Sequence, residues 1–158
     1  MNMSEKTSKV IATNRKAYRD YAIIEKFECG IELRGSEVKS LRDGRINLDD
    51  SFAHIEKEEV ILYNTHISHY AQASYLNVEP TRPRKLLLHK NQIRKLIGHT
   101  AQKGLTLVPL QAYFNARGFV KIELALCKGK KSYDKREDIK RRESDLEMRR
   151  IMKDKRNR

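Results

Sequence analysis

Alternation of apolar and polar positions divides the chain mainly into short strands. In DYAIIEKFECGIEL, Phe27, Cys29, Ile31 and Leu33 alternate with Glu28, Gly30 and Glu32, the two-residue period of a strand with one dry face. The period changes in GSEVKSLRDG. There Val38 and Leu41 stand three apart, Ser36 is placed to cap the start and Gly44 to take a left-handed stop, which predicts a short helix. Strands return in DSFAHIEKEEVILYNTHI, folded about a charged turn at Lys57–Glu59. YAQASYLNVEPTRPRK holds two prolines with Arg82 between them and little period, and reads as an exposed loop. LLLHKNQIRKLIGHTAQKG sets Ile93, Leu96 and Ile97 at helical spacing and ends in Gly104, a second helix. LTLVPLQAYF, the turn NARG and FVKIELALC make a final long hairpin, with Pro109 marking an edge or a bulge.

Five or so strands, mostly joined by hairpins and broken by brief helices, predict a mainly β fold. The expected form is an OB-like antiparallel β-barrel with two or three short helices, because closure removes exposed strand edges. Residues 1–14 are polar and aperiodic and read as a mobile lead, 15–128 as the barrel, and 129–158 as a basic C-terminal tail.

Charge adds a partner to this picture. Lys and Arg outnumber Asp and Glu by 34 to 21, and the net charge of +13 points to an anionic surface such as nucleic acid. The opening MNMSEKTSKV has no apolar core and LTLVPL is far too short to span a bilayer, so a soluble cytoplasmic protein is expected, with no membrane partner. In the tail, Glu137–Arg141, Asp138–Arg142 and Asp145–Arg149 are acid-before-base pairs at helical spacing, and Asp134 and Glu137 have capping-box spacing. Such pairs contribute only about 0.2–0.5 kcal/mol each. Ile139, Leu146, Met148, Ile151 and Met152 do not line one stripe, so the tail is expected to be disordered when free and helical against an anionic surface.

The sequence carries no phosphate-binding GxxxxGK[ST], no GxSxG elbow, no HExxH and no paired-cysteine knuckle, so no catalytic residues, cofactor or metal are expected. Cys29 and Cys127 lie in apolar runs far apart and read as buried and reduced. His66 and His69 fall on opposite faces of a strand without a carboxylate or Cys to complete a ligand set. Glu28 admits two readings: a solvated carboxylate, or an acceptor for base or 2′-hydroxyl donors of RNA. Cations gather at Arg82, Arg84 and Lys85, at Arg94, Lys95 and Lys103, and at Lys128, Lys130 and Lys131, with Tyr70, Tyr75, Tyr113 and Tyr133 nearby. Phosphate contacts with aromatic stacking favour RNA.

NRKAYRDYAI, FECGIELRGSEVKSLRDGRINLDDSF, NTHISHY, EPTRPRKLLLHK, KGLTLVPLQAYF and VKIELALCKGKKSYDKREDIKRRE, in that order and nearly end to end, resemble the SsrA-binding protein family (small protein B). The resemblance implies an OB-like barrel and a non-enzymatic factor of trans-translation, the bacterial rescue of stalled ribosomes. Its implied partners are the tRNA-like domain of tmRNA, the 70S ribosome at its 16S rRNA decoding centre and mRNA channel, and elongation factor Tu with GTP through alanyl-tmRNA. The barrel would fill the place of a missing anticodon arm, and the tail would probe the empty message channel. The family's RNA-contacting positions fall on Glu28, Leu87 and Lys121, beside the basic Arg82, Arg84 and Lys85. Its tail motif falls on Gly129, Lys130, Lys131, Asp134, Lys135 and Arg136, with Tyr133 where an aromatic or histidine is usual. Lys128, Lys140, Arg141, Arg142, Arg149, Arg150, Ile151 and Met152 complete the expected ribosome-facing set. The chain departs from the family at Cys29, where alanine is usual.

Overall fold

The computed structural model describes residues 8–71, 77–102, 104–130 and 132–157, with the backbone alone at 132–135. Nine strands and four helices are present among these residues. Strands β1 (Lys9–Thr13), β2 (Tyr21–Ile31), β4 (Phe52–Glu56), β5 (Glu59–Tyr63), β7 (Arg84–Leu87), β8 (Leu105–Phe114) and β9 (Val120–Gly129) form one antiparallel sheet. Its order is β1-β8-β4-β5-β7-β2-β9, and β9 pairs back onto β8. The six strands from β8 to β9 therefore close on themselves as a barrel, as expected from the hairpin pattern. The long strand β8 gives one edge to β9 along its length and divides the other between β4 and β1. Residues 9–13 are thus a strand and not a free lead; Val10 pairs with Tyr113 and Ala12 with Ala112.

The core explains why these segments form strands. Phe27, Cys29, Val60, Leu62, Leu86, Leu107, Ile122, Leu124 and Leu126 point inward from the barrel strands and are buried together. Leu96 from helix α3 (Lys90–Thr100) plugs one end of the barrel, completely buried. At another margin, Leu41 of helix α2 (Gly35–Arg42) packs with Ile67 and Val120 beside the two-stranded pairing of β3 (Ile46–Asn47) and β6 (His66–Ile67). Gly44 ends α2 with φ of +72°, as its position predicts. The charged hairpin turn also forms as expected, with Lys57 and Glu58 both at positive φ.

The unbroken apolar run of β8 has a second cause. Val108 and Leu110 face outward, but helix α1 (Arg15–Asp20) covers them by burying Ala17 against Val108, Leu110, Ala125 and Cys127. Asn14 fixes that helix: its Nδ2 donates to the carbonyls of Leu48 (3.1 Å) and Pro109 (3.0 Å), and its Oδ1 accepts the Ala17 N–H (3.1 Å). Pro109 sits at the register shift before Gln111, so the proline marks a bulge within the sheet.

The tail takes the helical form that its acid-before-base pattern anticipates: it is one helix, α4 (Ser132–Arg156), of 25 residues, roughly 37 Å long at about 1.5 Å per residue. The acid-before-base pattern is compatible with the helix, although none of the three expected pairs closes to ion-pair distance. Asp138 is engaged by Lys130 instead. No helix among the described residues is long and apolar enough to cross a membrane.

Candidate nucleic-acid interface

Sheet register brings together residues that lie far apart in the chain. Tyr113 on β8 pairs with Lys121 on β9, Lys121 with Gly30 on β2, and Gly30 with Leu87 on β7. Because partners in register share a face, these four form one row on the outside of the barrel. Glu28, two residues along β2, lies on the same face opposite Glu123. All three RNA-contacting positions implied by the resemblance therefore fall on one surface. Glu28 is exposed, Leu87 is 46% exposed and Lys121 is half-buried.

The groups on this surface are held in defined states. The Tyr113 hydroxyl donates to Glu28 Oε2. Burial, then this hydrogen bond and the Glu28 charge, push the phenol well above its ordinary pKa. Glu123 lies directly opposite Glu28, and Lys26 Nζ stands 3.5 Å from Glu123 Oε1 to offset two facing carboxylates. Among the described residues Lys121 makes no ion pair, so its ammonium remains available to a phosphate. Leu87 is apolar and in the open because β7 alternates: Arg84 and Leu86 turn inward, Lys85 and Leu87 outward.

That alternation corrects one expectation. Arg84, read as a phosphate contact, is only 1% exposed. Its Nε donates to Glu37 Oε2 at 2.7 Å, Nη1 to the Thr65 carbonyl at 2.7 Å and Nη2 to the Pro80 carbonyl at 2.8 Å. Every donor group is turned into the protein, so the side chain braces the loop to α2 and is closed to RNA. Arg82 also pairs with Glu37, at Oε1, and Lys85 pairs with Glu59 at 3.2 Å. The run TRPRK thus brings far less free charge to the surface than its composition suggests. Burial alone would raise the Glu37 carboxyl, but hydrogen bonds from Arg82, the Arg34 N–H and Arg84 reverse this and hold it below the ordinary carboxylate range. The signal missed in the sequence was Glu37 itself, an acid on the inner side of the first predicted helix.

In the second cluster, Lys95 pairs with Glu25 at 2.7 Å, Arg94 is exposed, and Lys103 lies outside the described residues, as does Tyr75. Beyond the barrel, Lys128 and Gly129 are exposed. Lys130 is tied down: its N–H donates to the Asp20 carbonyl at 2.9 Å and its ammonium pairs with Asp138. Lys131 lies outside the described residues. Tyr133, Asp134 and Lys135 belong to the first turn of α4, which begins before the predicted cap at Asp134. Arg136, Lys140, Arg141, Arg142, Arg149, Arg150, Ile151 and Met152 are all exposed along the helix. Sequence reasoning also passed over Phe119, 63% exposed at the mouth of the last hairpin and beside Lys121.

Comparisons with known proteins agree with this geometry. A family model described as SmpB protein matches residues 11–154. An SsrA-binding protein of Caldicellulosiruptor bescii is 58% identical over 156 residues, spanning 96% of this chain and 98% of that protein. Another, from Geobacillus kaustophilus, is 54% identical over 152 residues, with 96% and 97% covered. A solved chain described under "tmRNA-SmpB: a journey to the center of the bacterial ribosome" is similar with a TM-score of 0.65 and 53% identity, covering 77% of this chain and 85% of that one. A match that begins in β1 and ends in the last turns of α4, with relatives more than half identical across nearly the whole of both chains, makes this chain a member of the SmpB family, the SsrA-binding proteins.

Proposed function

We propose that this chain is a non-enzymatic, cytoplasmic RNA-binding factor of trans-translation. Its barrel binds the tRNA-like domain of tmRNA, and its basic helix enters the empty mRNA channel of a stalled ribosome beside the decoding centre. The observation that carries this reading is the single outer face shared by Glu28, Leu87 and Lys121. An acceptor, an apolar surface and an unpaired cation side by side suit a folded RNA recognised by shape, in which a carboxylate takes 2′-hydroxyl or base donors and an ammonium takes phosphate. The tail complements this surface. Its exposed cations follow one rod about 37 Å long and need no base sequence to bind rRNA.

The test is a gel shift with the tRNA-like domain of tmRNA against a large excess of ordinary elongator tRNA. Wild type should keep its complex under competition, while Glu28→Ala, Leu87→Asp and Lys121→Ala should each weaken it with the fold intact by circular dichroism. Equal affinity for both RNAs, or wild-type binding by all three variants, would overturn the proposal.

A further inference from the structure

Sulfur is divided unequally between the barrel and the terminal helix. The described residues hold two thiols and two thioethers. Cys29 and Cys127 are sealed in the barrel at 0% and 1% exposure, whereas Met148 and Met152 on α4 are 56% and 68% exposed. Met1 and Met3 lie outside the described residues. The main core is built from Phe, Cys, Val, Leu, Ala and Ile without a methionine.

Met148, Ile151 and Met152 stand three and four residues apart on one helix and so share a face. A thioether carries no proton to shield its lone pairs, so exposure decides whether an oxidant reaches it. The surroundings favour one kind of oxidant. Residues 147–156 hold five Lys and Arg against two Asp and Glu. That field raises the local concentration of a small anion such as hypochlorite, the conjugate base of hypochlorous acid.

We infer that Met148 and Met152 form an oxidation site at which a hypohalous acid silences the tail and spares the barrel. The inference rests on the trans-translation reading above and adds a regulation to it. The sulfur lone pair attacks the chlorine of hypochlorous acid, forming an S–Cl bond and releasing hydroxide. Water then attacks the sulfonium sulfur, chloride leaves, and two protons are lost, one of them to that hydroxide. Sulfur is oxidised by two electrons and chlorine is reduced by two. Each sulfoxide puts a dipole with a negative oxygen where an apolar thioether stood. Beside rRNA phosphates that oxygen repels, and the face shared with Ile151 is no longer apolar. Sulfoxide reductases, one for each epimer, return the thioether, so the change is reversible.

In the test, the full-length protein is treated with limiting hypochlorous acid, quenched with free methionine, and only then added to ribosomes. Peptide mass mapping should find one oxygen each on Met148 and Met152 and none on Cys29 or Cys127. Tagging on stalled ribosomes should lose most of its rate, affinity for the tRNA-like domain of tmRNA should be unchanged, and sulfoxide reductases should restore tagging. Met148→Leu combined with Met152→Leu keeps the volume of both side chains and removes their sulfur. That chain should tag after treatment at whatever rate it shows before, a comparison within one protein that is free of any effect of the substitutions. Oxidised wild type that tags at its untreated rate, oxygen on the cysteines ahead of the tail, or a loss of RNA affinity overturns the site and leaves the trans-translation reading standing. An equal loss of tagging in the doubly substituted chain assigns the lesion to another side chain and equally overturns it. If untreated wild type does not tag, both readings fall together.

Discussion

The barrel and the terminal helix use charge in opposite ways. On the barrel, cations are matched with acids: Arg82 and Arg84 with Glu37, Lys85 with Glu59, Lys95 with Glu25, Lys26 with Glu123 and Lys16 with Asp50. In residues 129–158 thirteen Lys and Arg stand against seven Asp and Glu, so nearly half of the net charge of +13 lies in this short segment. The described side chains of its helix are exposed but for Asp138, and include Ile139, Leu146, Met148, Ile151 and Met152. One region uses charge to fix a shape. The other leaves its charge uncompensated and so attracts any polyanion, with a strong dependence on salt.

Breaking the barrel's internal pairing should give the largest effect. Arg84→Ala takes one of two guanidinium partners from buried Glu37, leaves the Thr65 and Pro80 carbonyls without their donors and empties a buried site, and should cost about 3–5 kcal/mol in urea unfolding. Replacing both partners, as in Glu37→Leu with Arg84→Met, should recover the part of that loss that comes from the under-paired carboxylate, but not the part from the Thr65 and Pro80 carbonyls. The same change at Arg149, exposed on α4, should leave the unfolding midpoint in place. An Arg84→Ala protein as stable as wild type would show the buried pair to be inconsequential.

How far this contrast is legible in the sequence depends on which contacts are local. The alternation of β2 shows in Phe27 and Cys29, both buried, and the helix of Leu96 shows in its spacing. Strand β1 does not, because KVIAT is too short to carry a pattern and is a strand only through its pairing with β8. Helix α1 buries one residue, Ala17, and depends on Asn14 reaching Leu48 and Pro109 across 34 and 95 residues of chain. Of the candidate site, Glu28, Leu87 and Lys121 were reached through family motifs. Their common face was hidden, because register between β9, β2 and β7 is a property of the closed barrel. Arg84 misled because a basic run bounded by prolines looks exposed, although its two-residue alternation with Leu86 already placed it on the inner face.

Acid provides a gentler probe of the same pairing. The folded state holds the Glu37 carboxyl below its unfolded value, so its contribution to stability is complete above the ordinary glutamate pKa of about 4.3. That contribution is lost as pH falls through the lower folded value. The wild-type melting temperature should therefore drop more steeply below about pH 4 than that of Glu37→Gln. Parallel acid limbs would assign the loss to other carboxylates.

The smallest effect is expected at the cysteines. Burial pushes the thiols of both Cys29 and Cys127 up to about 12. In the native protein at about pH 8 neither should react appreciably with Ellman's reagent, and both should react in denaturant. Ready labelling of the folded chain would mean that the barrel opens far more often than its packing implies.

The division of labour itself is tested most directly by removing the helix. A chain ending at Lys130 retains the barrel and the Lys130–Asp20 backbone bond, and loses α4. In parallel assays of tRNA-like-domain binding and of peptide tagging on stalled ribosomes, this chain should keep its RNA affinity within about twofold at moderate salt, since most of its counterion-releasing contacts remain. Tagging should be abolished. Tagging at the full rate without the helix, or a collapse of RNA binding on its removal, would contradict the separation of capture by the barrel from probing by the tail.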